Sequence, residues 1–167
     1  MVKKRKKETS GLKKSEAAPA PGEGKRGRDG HLPYLLRQAQ AAVRHALDEA
    51  LADLSVTVPQ FSVMTMLSAY GALSAAEAAR LSMLTPQTMT IIVRNLERDG
   101  LITRTPDPDH GRILRLELTA QGEKTLKKCR EQTDKVDAAL AKGLSKSEEK
   151  VVRTWLAELA QDGGIAL

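Results

Sequence analysis

Cysteine and aromatic residues are nearly missing from this chain. A single cysteine, Cys129, cannot close an intrachain disulfide, so a disulfide-stapled fold is excluded and a reducing compartment is implied. Four aromatic side chains, Tyr34, Phe61, Tyr70 and Trp155, argue against the stacking platforms that bind single-stranded nucleic acid. His31, His45 and His110 stand far apart without ligand spacing, and neither an HExxH pair nor a glycine-rich phosphate loop occurs. A metal, a cofactor and an enzymatic activity are therefore not expected. No apolar run approaches the ~20 residues of a membrane span, and the basic N-terminus is not followed by the apolar segment of a secretory signal. A cytoplasmic protein with no membrane partner is expected.

Charge is plentiful but unevenly spread. Residues 1–30 hold ten Lys or Arg against four acids, which accounts for the whole chain's net charge of +6. The same residues include "APAPGEGKRGRDG", rich in Pro, Gly and charge with almost nothing to bury, so a disordered basic tail is expected over 1–30 and a folded domain over 31–167. The run "KKRKK" reads as a phosphate-binding arm, a nuclear-targeting patch or a solubilising tail.

From Pro33 the chain reads as helices with caps. A long amphipathic helix places Leu36, Val43, Leu47, Leu51 and Leu54 on one face. Thr57 and Gln60 form a capping box for a second helix striped by Phe61, Met64 and Leu67 up to Gly71. Ser74 and Glu77 cap a short third helix ending near Met83. Only Leu84 and Thr85 separate it from a fourth that begins at Pro86 and stops at Gly100. "LITRTPDPDHGRILRLELT" then breaks the helical pattern: two strand-like runs flank a tip of Pro, Asp and Gly, and Leu114, Leu116 and Leu118 alternate with Arg115 and Glu117. A lone hairpin is marginal in water, so its leucine face must pack on the helices. Thr119 caps a fifth helix with a heptad seam of Gly122, Leu126, Cys129, Thr133, Val136 and Leu140. Ser145 and Glu148 cap a sixth, with Val152, Trp155, Leu156 and Leu159 on one side.

Two helices joined by so tight a turn and followed at once by a hairpin have the order of a winged helix-turn-helix. The expected fold is mainly α with a small β-hairpin wing, a winged helix-turn-helix domain plus terminal dimerisation helices at about 33–55, 119–142 and 145–162. In the fourth helix Met89, Ile92, Val93 and Leu96 repeat at core spacing, leaving Gln87, Thr88, Thr90, Ile91 and Arg94 outside. Gln reads adenine, Arg reads guanine, and Thr or Ile meets a thymine methyl.

The passages "SVTVPQFSVMTML", "LTPQTMTIIVRNLERDGLITR" and "GRILRLELTAQGEK" resemble the MarR (multiple antibiotic resistance regulator) transcriptional regulators, over about Tyr34 to Leu159. The resemblance implies a homodimeric, sequence-specific repressor of transcription on a pseudo-palindromic operator in double-stranded DNA. It also implies release by a small molecule, often aromatic, or by an oxidant. A recognition helix would enter the major groove, which nominates Thr85, Pro86, Gln87, Thr88, Thr90, Ile91 and Arg94, while Arg112 matches the wing arginine of the adjoining minor groove. Where most members carry an acid two residues before that arginine this chain has His110, with Asp109 one further back, and Asp107 or Asp109 is left to substitute or simply to serve the turn. Arg44 and His45 fall near the effector cleft of relatives. Cys129 invites a redox-sensor reading, but its place on the seam favours a buried small apolar residue. The rival reading is a winged-helix protein-interaction module without sequence-specific DNA reading.

Overall fold

The computed structural model describes residues 20–108, 111 and 113–161, with Lys25 by its backbone alone. It divides into two compact units, Met1–Ala41 and Ala42–Leu167. Within the first, a 3-10 turn at Gly24–Arg26 is closed by Gly27 N donating to Gly24 O at 2.8 Å, and Arg26 Nε donates to Gln38 Oε1 at 3.2 Å. Backbone hydrogen bonds thus join several residues between 20 and 30, the only part of the expected 1–30 tail that falls within the described residues. The "KKRKK" run lies outside the described residues.

Helix α1 (Leu32–Leu51) runs into a 3-10 turn, Ala52–Leu54, and stops where Ser55 adopts a left-handed φ of 54°. Of its apolar stripe Leu51 is buried, Val43, Leu47 and Leu54 are half-buried, and Leu36 is exposed. Helix α2 (Val58–Tyr70) begins at the expected capping box: Gln60 N donates to Thr57 Oγ1 at 3.4 Å, and Thr57 N to Gln60 Oε1 at 2.8 Å. It is apolar on several faces, burying Val63, Met64 and Leu67 and half-burying Phe61, as suits a helix at the centre of the core.

A two-residue strand, β1 (Leu73–Ser74), follows and leads into α3 (Ala75–Leu81). The third helix ends two residues before the expected Met83, because Met83 takes a φ of 53° and turns the chain, with Leu84 N donating to Ala79 O at 2.9 Å. Helix α4 (Pro86–Arg98) ends at Gly100, whose φ of 68° suits the residue without a Cβ. Strands β2 (Ile102–Pro106) and β3 (Leu114–Leu118) form the expected hairpin, but the sheet has three antiparallel strands in the order β1-β3-β2. The register pairs Leu73 with Leu116, Ser74 with Arg115 and Pro106 with Leu114. The leucine face is uneven: Leu116 is buried, Leu118 half-buried, and Leu114, on the last rung, exposed.

Thr119 caps α5 (Ala120–Ala141) by accepting from Gly122 N at 3.0 Å while its hydroxyl donates to Gly100 O at 2.7 Å. A Cβ on Gly122 would lie 2.0 Å from the Leu101 carbonyl oxygen, so only glycine lets α5 approach so closely. Helix α6 (Lys146–Leu159) starts at the Ser145–Glu148 capping box and buries none of its side chains. No single helix among the described residues is long and apolar enough to cross a membrane.

Candidate nucleic-acid interface

Helix α4 has two chemically opposite faces. Met89, Ile92, Val93 and Leu96 are buried at the expected spacing and pin the helix to the core. Gln87, Ile91 and Arg94, at steps of four and three, form one exposed stripe on the other side, with Ile91 60% exposed. No hydrogen bond or ion pair joins the side chain of Gln87 or Arg94 to another described residue, so an amide and a guanidinium stand ready for an external partner. An isoleucine this exposed between two such groups has a methyl surface for a thymine methyl.

The threonines differ from that stripe. Thr85 is the N-cap of α4 and accepts from Thr88 N at 3.2 Å, and its hydroxyl shares a hydrogen bond of 2.9 Å with that of Thr88. Thr90 donates its hydroxyl proton to Pro86 O at 2.9 Å. These side chains are exposed, and their hydrogen bonds serve the start of the helix.

The base of the wing holds a charge network that sequence reasoning missed. Arg115 Nε donates to Asp107 Oδ2, and Arg115 Nη1 donates to Glu77 Oε2 at 2.8 Å. Asp107 is 5% exposed, and its backbone N donates to Ile113 O at 2.8 Å. Glu77, the capping-box carboxylate of α3, also accepts from Ser74 N at 2.8 Å and Ser74 Oγ at 2.7 Å. The Ser74 bonds first, and Arg115 after them, hold its pKa below the ordinary value. Arg115 in turn is raised, chiefly by its hydrogen bond to Asp107. Asp107 is thus engaged with Arg115. A second tie joins the wing to α4, Arg104 Nη2 donating to Glu97 Oε2 at 2.7 Å. Arg112, Asp109 and His110 lie outside the described residues.

The remaining candidates are scattered. Arg44 and His45 are exposed on α1, each facing an acid one turn on, Asp48 at 3.8 Å and Glu49 at 3.5 Å. Cys129 is fully buried, and burial pushes its thiol pKa up, away from the thiolate an oxidant attacks. The heptad seam is interrupted: Gly122, Leu126 and Cys129 are covered within the chain, where α5 packs on α2, while Leu140 is 54% exposed. Leu140, Leu144, Val152 and Leu156 line a shallow apolar cleft between α5 and α6, beside Arg153, which donates to Asp137 at 3.1 Å and Glu149 at 2.7 Å.

A helix held by its apolar face, presented by a tight turn and flanked by a braced three-stranded wing, defines a winged helix-turn-helix protein. The sequence pattern of the MarR family matches residues 56–114. The chain is 34% identical over 134 residues to the HTH-type transcriptional repressor Rv2887 of Mycobacterium tuberculosis, covering 80% of this chain and 96% of that protein. The chain belongs to the MarR family. The solved structure of Rv2887, a MarR family protein in complex with p-aminosalicylic acid, superposes with a TM-score of 0.65 at 31% identity, covering 79% of this chain and all of that one. The transcriptional repressor CouR bound to a 23-mer DNA duplex superposes with a TM-score of 0.76 at 25% identity, covering 83% of this chain and 99% of that one.

Proposed function

We propose that the protein is a homodimeric, sequence-specific repressor of transcription that works in the cytoplasm by binding rather than catalysis. The observation that carries this reading is the exposed Gln87–Ile91–Arg94 stripe on a helix whose opposite face is locked into the core. In this reading Gln87, Ile91 and Arg94 read base edges in the major groove, Thr85, Pro86, Thr88 and Thr90 set the helix start against the backbone, and Arg112 enters the adjoining minor groove. The apolar residues left exposed on α1, on the second half of α5 and on α6 pair with a second copy. A small aromatic acid, the kind of ligand bound by the Rv2887 relative, releases the DNA, and Arg44 and His45 are the candidates to meet it.

The test is fluorescence anisotropy on two-fold-symmetric duplexes with half-sites about one helical turn apart. Affinity should fall by roughly 10³ between about 50 and 200 mM salt, and Arg94→Ala should cost about 1–3 kcal/mol at one position in each half-site. Equal binding to every duplex at low salt would sink the reading in favour of a protein-interaction module.

A further inference from the structure

The Arg115 guanidinium joins two segments that are far apart in sequence. Its Nε holds Asp107, just past the end of β2, and its Nη1 holds Glu77 in the first turn of α3. The geometry behind this is the short strand β1. Pairing of β1 with β3 sets Arg115 opposite Ser74, and the Ser74 capping box brings Glu77 to the same spot. The base of the wing and the start of the helix-turn-helix therefore share one ionic brace.

The brace matters because it is the ionic tie between the wing base and α3, whereas the Arg104–Glu97 pair ties the wing to α4. The β1–β3 pairing is two residues long, and a two-stranded hairpin is marginal without support. Asp107 is buried, and Arg115 is the residue that ties it to Glu77 on α3, so losing the guanidinium would break the link between the wing base and α3 whatever else Asp107 meets. Recognition elements must be held to within a fraction of an ångström to engage a target together.

We infer that Arg115 is a positioning residue for DNA recognition: it locks the wing to α3 so that the wing and α4 meet one duplex at once. This inference rests on the DNA-binding reading above and adds to it a residue outside the DNA-facing set. Arginine is required, because its two donors point at two separate carboxylates and the single ammonium of lysine cannot span them in the same way.

The experiment uses the full chain and two duplexes. One is the symmetric duplex that the wild type selects from a random-sequence pool; the other is that duplex trimmed to the base pairs facing the two α4 helices. The variants are Arg115→Lys, Arg115→Met and Glu77→Gln, the last keeping a side chain that capping boxes accept while removing its charge. Wild type should prefer the long duplex about tenfold or more, the worth of a wing contact. In both Arg115 variants that preference should fall towards one while binding to the trimmed duplex and the dimer are retained, and Glu77→Gln should fall between. An undiminished preference in Arg115→Lys and Glu77→Gln overturns the inference, as does a wild type without any preference. Equal weakening on both duplexes that follows the thermal midpoint makes Arg115 a stability residue only, and overturns it too. A wild type that selects no duplex from the pool overturns the DNA-binding reading itself, together with what is built on it.

Discussion

The two halves of α5 follow one heptad spacing and meet opposite surroundings. In the first half Gly122, Leu126 and Cys129 are covered by the chain's own core, with α2 alongside. In the second half Thr133 and Val136 are half-buried and Leu140 is exposed, next to an α6 whose Val152, Trp155 and Leu156 are exposed as well. Periodicity specifies a face of a helix, but the path of the rest of the chain decides what covers it. Here the first half completes a monomer core and the second offers an apolar face to a second copy, in keeping with the proposed dimer.

The strongest way to break this comparison is a matched pair of truncations. Leu126→Ala should lower the unfolding free energy by about 2–5 kcal/mol in urea denaturation, through lost burial and a cavity. Leu140→Ala should change it by no more than about 0.5 kcal/mol at concentrations where the chain is monomeric, yet shift sedimentation equilibrium towards monomer. Similar losses from both at those concentrations would erase the distinction between inner and outer halves. Gly122→Ala comes next. Alanine favours helices by about 1 kcal/mol, but its Cβ would press on the Leu101 carbonyl, so a net destabilisation of about 1–3 kcal/mol is expected from thermal unfolding.

Two of the interhelical turns sharpen the same contrast. The α3–α4 turn puts Met83 in the left-handed region, 91% exposed, whereas the α5–α6 turn uses Gly143 at a φ of 92°. Met83→Gly removes strain and almost no packing, and should raise stability by about 0.5–1 kcal/mol. Gly143→Ala should lower it by a similar amount; opposite signs in calorimetry are the check.

The smallest effect is electrostatic. Glu77 and Glu148 cap α3 and α6 in the same way, and each is held below its ordinary pKa of 4.5, first by its bond from a serine hydroxyl. A folded-state pKa that is depressed gives stability present above 4.5 and lost as pH falls through the folded value. Destabilisation by Glu148→Gln should therefore be larger at pH 7 than at pH 3. Glu77→Gln should show the same trend more strongly, because Glu77 also faces Arg115 while the bonds described for Glu148 are local. Identical pH profiles for the two variants would count against that difference.

Much of this was legible in the residues. The caps Thr57, Ser74, Thr119 and Ser145 stood where helices begin, and Met89, Ile92, Val93 and Leu96 turned inward as their spacing required. The end of α3 near Met83 was legible, but the left-handed backbone of Met83 was not, because methionine gives no local sign of one, whereas Gly100 does. Leu114 alternates with its neighbours but is exposed on the last rung of the hairpin. Spacing sets Thr88 and Thr90 outside with Gln87, Ile91 and Arg94, and gives no sign that the two threonine hydroxyls are tied to Thr85 and the Pro86 carbonyl.

The sequence by itself determined where helices start, which face of α4 turns inward and that a hairpin follows it, because capping and amphipathic spacing act over three or four residues. Tertiary structure alone decided that Leu73 and Ser74 add a third strand, that Arg115 braces Asp107 and Glu77, and that the seam of α5 is divided between core and surface. Glu77 and Arg115 are 38 positions apart. A two-residue strand has no periodicity to read, and a charge pair over that separation exists only once the strand register has brought its members together.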